Sequence, residues 1–275
     1  MTVTDHTTAV RRSHVVPAVS ARGVGKTWNA GTDRAVEALA DVDMDIAPGE
    51  LVVFLGPSGC GKSTLLHLVA GLQTTTSGEL RSHGEVVTDP GPDRCLIFQE
   101  SSLFPWLDVA DNVTFGLRLR GVGKRERREV AGRLLRTVGL GAAIDKRPSE
   151  LSGGMRQRVA IARALAMDPR VLLMDEPFAA LDVQTRSKLQ DHLLSAYQQS
   201  GASVVFVTHQ IEEAVALADR IVVFTARPGR IKAVVPVDLP RPRDQRGPAF
   251  NTLRDELIEL LRDEVDRAFR EQEEV

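Results

Sequence analysis

The sequence predicts an α/β fold with a mainly parallel sheet and a helical subdomain inserted into it, and three observations predict it. Short apolar runs of strand length, Leu51–Leu55 (LVVFL), Arg94–Phe98, Val171–Met174, Ser203–Val207 and Arg220–Phe224, alternate with helix-like stretches. Two of these runs end directly in glycine or acidic clusters, and ligand sites in such folds gather at the strands' carboxyl ends. Between about residues 100 and 166 the strand pattern stops. There Leu117–Arg136 and Arg156–Ala166 read as helices, with no strong strand between them.

Bulk properties narrow the function classes. The 275 residues suffice for one large domain or one with a small appendage. Hydrophobic content of 43% and charged content of 26% are ordinary for a globular chain. A net charge of -2 gives no global pull toward nucleic acid or anionic lipid, and no nucleic-acid partner is expected. The two cysteines, Cys60 and Cys95, lack metal-ligand spacing and favour a reduced, intracellular setting. No apolar run approaches the roughly 18 residues that a membrane span needs. MTVTDHTTAVRRSHVVP carries two arginines but no hydrophobic region after them, so residues 1–17 read as a flexible tail rather than a signal peptide. Work at a membrane would therefore proceed through partners.

The main domain is expected over residues 18–240. Near its start, Gly23–Thr27 (GVGKT) imitates the end of a phosphate loop. The first glycine of such a loop would fall at residue 20, which is Ser20, so the imitation is rejected. The genuine pattern follows the strand Leu51–Leu55. Gly56, Pro57, Ser58, Gly59, Cys60, Gly61, Lys62, Ser63 and Thr64 read G-x-x-x-x-G-K-S-T. The strand feeds a glycine-rich turn whose N–H groups surround phosphates, and the next helix, starting near Lys62, aims its positive end at them. Lys62 adds a full charge to the β- and γ-phosphates, and the Ser63 hydroxyl ligates Mg²⁺.

Further along, Val171–Pro177 (VLLMDEP) is an apolar strand ending in two carboxylates. Asp175 is placed to hold the Mg²⁺ shell beside Ser63. Consecutive strand residues face opposite ways, which frees Glu176 to act on the attacking water as a base or by orienting it. In the helical segment, Arg120 to Arg136 is arginine-rich, interrupted by Glu126 and Glu129. It reads as a basic docking surface or as a solvated amphipathic helix. Residues 241–275 are expected to hold a linker and a last helix. The Pro/Arg-rich LPRPRDQRGP precedes Leu253, Leu257, Leu260, Leu261, Val265 and Phe269 at helical spacing. That helix either regulates or packs on its own domain.

With these motifs in place the chain resembles the ABC ATPase family from about Val19 to Asp238. Leu151–Arg158 (LSGGMRQR) is similar to the family signature LSGGQ-x-QR, with Met155 where glutamine is commonest. The resemblance implies a P-loop NTPase core with a small antiparallel β part added to the features above. It also implies roles for four further residues. Trp28 resembles the aromatic residue stacking on adenine, although a buried core tryptophan is the alternative. Gln99 resembles the glutamine that senses Mg²⁺ and the water and links the site to the helical subdomain. Asp182 resembles the aspartate of the dimer interface, and His209 the switch histidine on the γ-phosphate. Ser152, Gly153 and Gly154 begin a helix whose N–H groups form a second anion site. The resemblance implies that they complete the ATP site of a second copy, head to tail.

The segments FQESSLFPWLDVADNVTFGL, EPFAALD, TARPGRI and VDLPRPRD look like the nitrate/sulfonate/taurine group of import ATPases. That resemblance implies a peripheral subunit on the cytoplasmic membrane face. Its partners would be a second ATPase copy, permease subunits and, indirectly, an extracytoplasmic solute-binding protein. Phe104–Pro105–Trp106 is the expected permease contact, or else packs locally. The rival class is a soluble, non-transport ABC ATPase.

Overall fold

The computed structural model describes residues 15–179 and 183–273. Strands β1 (Val19–Trp28), β2 (Val36–Ile46), β4 (Ser77–Ser82) and β5 (Glu85–Val86) form an antiparallel sheet in the order β2-β1-β4-β5. Strands β3 (Leu51–Leu55), β6 (Arg94–Ile97), β7 (Val171–Asp175), β8 (Ser203–Thr208), β9 (Arg220–Phe224) and β10 (Ile231–Pro236) form the larger sheet, ordered β10-β9-β3-β8-β7-β6. In it only β10 runs antiparallel to its neighbour. The helices are α1 (Lys62–Val69), α2 (Val109–Val113), α3 (Phe115–Leu119), α4 (Lys124–Thr137), α5 (Gly153–Leu165), α6 (Val183–Ser200), α7 (Ile211–Leu217) and α8 (Pro248–Glu273).

The apolar runs that form β3, β7, β8 and β9 are buried on both faces, as central parallel strands must be, whereas β6 at the sheet edge is half-buried. Alternation then sorts their side chains into two cores. Leu51, Val53, Leu55, Leu172, Met174, Val204 and Phe206 face a core shared with α4 through α8. Val52, Phe54, Val171, Leu173, Val205 and Val207 face a second core with α1 and the antiparallel sheet. Phe178 and Phe206 close the first core, their ring centroids 5.5 Å apart, and Phe54 meets Phe224 edge-on at 5.3 Å in the second. Fully burying such a side chain stabilises by about 1.5–3 kcal/mol.

Two expectations are corrected. The single helix read over Leu117–Arg136 is two, α3 and α4, because Gly121 adopts φ +79° and Gly123 takes an extended N-cap conformation. Three of its arginines are paired: Arg127 is buried against Asp111 at 3.1 Å, while Arg128 with Asp145 at 2.5 Å and Arg125 with Glu129 at 3.2 Å form exposed pairs. The signature helix starts at Gly153, as expected for Ser152–Gly154, and the Ser152 hydroxyl accepts the Met155 N–H at 3.3 Å. The stretch read as a linker is pinned. Arg241 pairs with Asp219 at 2.6 Å, and Arg243 donates to the Val215, Leu239 and Val237 carbonyls. Burial and the neighbouring Arg241 guanidinium lower the Arg243 pKa to about 10.

The last helix packs on its own domain over its first half, where Phe250, Leu257 and Leu261 are buried. Val265 and Phe269, read as part of the same stripe, are exposed. The rejected imitation Gly23–Thr27 lies within β1, paired on both sides. Residues 1–14 and 180–182, which include Asp182, lie outside the described residues. Among the described residues no helix is long and apolar enough to cross a membrane.

Candidate nucleotide-binding and catalytic site

Strand order brings the motifs together. β3, β8, β7 and β6 are consecutive parallel neighbours, so the segments leaving their carboxyl ends lie side by side. β3 delivers the phosphate loop, β8 leads to His209, β7 ends in Asp175, and β6 leads to Gln99. A cavity of about 370 Å³ opens there, lined by Trp28, Ser58, Gly59, Gly61, Lys62, Ser63, Thr64, Gln99 and Glu176. The remaining lining is Val36, Ala38 and Arg227, none of which the sequence motifs single out.

The loop's glycines answer to close packing. Gly61 has φ +99°, and a Cβ there would fall 2.6 Å from the Ala38 carbonyl oxygen. At Gly56 a Cβ would meet Cys60 Sγ at 3.1 Å and Phe224 at 3.2 Å. Cys60 is buried behind the loop. The Lys62 ammonium is buried within it, donating to the Gly56 carbonyl at 2.8 Å and the Pro57 carbonyl at 2.7 Å. Helix α1 starts at Lys62 with Gly61 as its N-cap, so its N-terminal N–H groups lie where Ser63 and Thr64 line the cavity.

On the acidic side, Ser63 Oγ donates to Asp175 Oδ1 at 2.9 Å. Burial raises the Asp175 pKa above the ordinary carboxylate range, against the opposing pull of the Ser63 hydrogen bond and the His67 and Lys62 charges. A cation beside it would restore its charge. Hydroxyl and carboxylate oxygens are hard donors suited to Mg²⁺, which keeps waters and substrate phosphates as its other ligands. Among the described residues no group of three or more His, Cys, Asp or Glu could hold a metal ion.

Glu176 reaches the cavity by a route other than strand alternation. β7 ends at Asp175, and Glu176 follows it with φ +43°, a left-handed conformation costly for a residue with a Cβ. Its N–H is tied to the Val207 carbonyl at 3.1 Å, and Glu176 Oε1 meets His209 Nδ1 at 3.0 Å. Trp28 ends β1 half-buried, with Lys26 Nζ 4.8 Å from its ring centroid, and is not a core tryptophan.

Ser152, Gly153 and Gly154 do not join this cavity. Gly153 lines a second hollow with Gln99, Arg156 and Gln157. Gln157 donates to the Phe98 carbonyl at 3.1 Å, which ties helix α5 to the residue before Gln99. Arg163, from the same helix, holds the Ser101 and Ser102 carbonyls at 3.1 and 2.9 Å. In the adjoining loop Phe104 packs on Phe115 at 4.5 Å, whereas Trp106 is 69% exposed.

A phosphate loop at the head of β3, an acidic strand end and a signature helix define a nucleotide-hydrolysing cassette. The ABC transporter family model matches residues 39–179, and the chain belongs to that family, whose cassettes bind and hydrolyse ATP. The nitrate import ATP-binding protein NrtD of Synechocystis is 46% identical over 84% of this chain and 91% of its own length. The taurine import ATP-binding protein TauB of Sinorhizobium fredii is 45% identical over 84% of this chain and 90% of its own. Among solved structures, the dimeric ATP-binding cassette MJ0796 in a post-hydrolysis state with ADP and Pi superimposes with a TM-score of 0.73. It is 33% identical, covering 80% of this chain and 98% of that one. These relatives place the chain in the nitrate/sulfonate/taurine group of import ATPases.

Proposed function

We propose that this chain energises a small-solute importer, hydrolysing ATP while separate membrane subunits carry a nitrate-, sulfonate- or taurine-like compound. The observation that carries the reading is the Glu176–His209 pair at 3.0 Å beside the cavity that holds Lys62 and Ser63. In this reading adenine stacks on Trp28 and the triphosphate lies along Gly56–Thr64. Lys62 exchanges the loop carbonyls for the β- and γ-phosphates, keeping its charge compensated. Ser63, Asp175 and Gln99 hold Mg²⁺, which when bound offsets phosphate charge. Glu176, fixed by His209 Nδ1, accepts a proton from the attacking water or orients it. With Nδ1 so engaged, Nε2 of His209 faces the γ-phosphate.

Ser152, Gly153, Gly154 and Asp182 serve across a homodimer, closing the site of the second copy when the γ-phosphate is present. Closure is favoured only while that phosphate binds the closed state better than the open one. Gln157 and Arg163 carry the movement of the Gln99 loop to helix α5, and thence to a permease docked at the helical subdomain. The protein then works peripherally on the cytoplasmic face of the membrane, and an extracytoplasmic binding protein supplies the solute.

The test is to trap the dimer with Glu176→Gln and ATP in native cells, isolate it from the membrane fraction and identify its companions. A polytopic membrane protein is the expected companion. A dimer recovered only from the soluble fraction, alone, keeps the ATPase chemistry and removes transport.

A further inference from the structure

The turn between β9 and β10 touches the phosphate loop from outside the recognised motifs. It closes on itself: Thr225 N–H donates to the Arg230 carbonyl at 3.0 Å, and Thr225 Oγ to the Pro228 carbonyl at 3.0 Å. Gly229 bonds to β2 in both directions, donating to the Ala38 carbonyl at 2.9 Å and accepting from Ala40 at 3.1 Å. A Cβ on Gly229 would fall 2.0 Å from the Cys60 carbonyl oxygen, so this turn lies against the back of the phosphate loop. From it Arg227 lines the nucleotide cavity. Its Nη2 makes one long contact, 3.5 Å from the Gly59 carbonyl oxygen. A guanidinium has five donors, so most of this fork is uncommitted to partners among the described residues.

The last helix holds the same turn from the other side. Glu264 on α8 accepts the Ala226 N–H at 2.8 Å through one oxygen and the Lys232 ammonium at 2.8 Å through the other. One helical turn later, Arg267 donates to the Arg227 carbonyl at 3.5 Å. A chain of contacts thus runs from α8, through Ala226 and Arg227, to Gly59 and Cys60. Phe250, Leu257 and Leu261 anchor the helix to the core, so the hold has a fixed base.

We propose that Arg227 is a nucleotide-binding residue that contacts the phosphate charge of ATP from the cavity rim, and that helix α8 is the clamp that positions it. This rests on the reading that ATP occupies the cavity. Arginine suits the task because its planar fork pairs with phosphate oxygens and stays charged. The rim location makes the contact partly solvated, so its effect is moderate and salt-sensitive.

Binding of a non-hydrolysable ATP analogue with Mg²⁺ tests the proposal by calorimetric titration at low and high salt. Arg227→Ala should weaken binding about threefold to fivefold at low salt, with a shallower salt dependence, and Arg227→Lys should recover part of the loss. Glu264→Ala should weaken binding about twofold in the presence of Arg227 and add nothing in the Glu264→Ala/Arg227→Ala double variant. A merely structural α8 would give additive losses, which would overturn the clamp. If Arg227→Ala bound like the wild type while Lys62→Ala lost binding, the cavity reading would stand and the role of Arg227 would fall. A wild-type chain that bound no nucleotide would take both down.

Discussion

The carboxyl edge of the large sheet and the face presented by the helical subdomain are built on opposite principles. At the edge, polar groups find one another within the chain: Lys62 in its loop, Ser63 on Asp175, His209 on Glu176. On the helical face the groups point outward. Ser152 and Gly153 are exposed at the start of α5, and Trp106 stands 69% exposed a few residues beyond Gln99. Internal pairing keeps a site formed in one chain. Outward display gives a second molecule something to meet. The two regions are joined by the bond from Gln157 to the Phe98 carbonyl and by the grip of Arg163 on residues 101 and 102.

The sharpest way to break this comparison is to charge the outward helix start. A Cβ at Gly153 meets nothing nearer than the Arg156 guanidinium at 3.9 Å, so Gly153→Asp is accommodated. A carboxylate in the first turn of α5 is mildly favourable for that helix. In the proposed dimer, where it would face the γ-phosphate of the second copy, it is strongly unfavourable. ATPase turnover should therefore fall more than about tenfold while nucleotide affinity of the isolated chain, measured by titration, stays within about twofold. Parallel loss of affinity and turnover would place Gly153 in its own chain's site instead.

A smaller effect belongs to Trp106. Phe104 is held by Phe115, and its backbone is bonded at both ends to buried Asn112, at 2.8 and 3.1 Å. The loop therefore keeps its shape when the neighbouring indole is removed. In the proposed importer, Trp106→Ala should lower permease-stimulated ATPase by about fivefold and basal ATPase much less, in keeping with loss of one aromatic interface anchor. Equal loss in both assays would mean that Trp106 serves local packing.

Legibility in the sequence follows the same division. Leu51–Leu55 and Arg220–Phe224 are strands with the expected bounds, because four or five consecutive apolar residues buried on both faces leave an unbroken signal. The phosphate loop, the acidic pair and His209 were legible because each directly follows such a strand. The mechanism by which Glu176 turns inward was not, since it depends on a positive φ that no side-chain pattern announces. Composition made the stretch around Arg241 and Arg243 read as a linker, because their partners, Asp219 and the carbonyls of Val215 and Val237, are set by tertiary packing. In the sequence Arg227 is distinguished only as a member of the segment TARPGRI. Its contact lies 168 residues away at Gly59, and no local spacing encodes that.

The smallest expected effect tests how the edge is held from outside. The Glu264 side chain is 12% exposed. Burial raises its pKa, but the Lys232 and Ala226 hydrogen bonds and the Lys232 and Arg267 charges outweigh this and leave the carboxyl below its ordinary range. A folded pKa below the unfolded one means stabilisation that is present above about pH 4.3 and lost as pH falls through the lowered folded value. Glu264→Gln keeps an acceptor for Ala226 but loses the charge facing Lys232 and Arg267. The wild type should therefore melt at most about 2–4 °C above Glu264→Gln at pH 7, a contribution under about 1 kcal/mol. That gap should close progressively below about pH 4. A gap that stayed constant from neutral pH into acid would show that the Glu264 charge contributes nothing, leaving the Ala226 hydrogen bond and the Arg267 contact with the Arg227 carbonyl as the ties between α8 and the turn beside the phosphate loop.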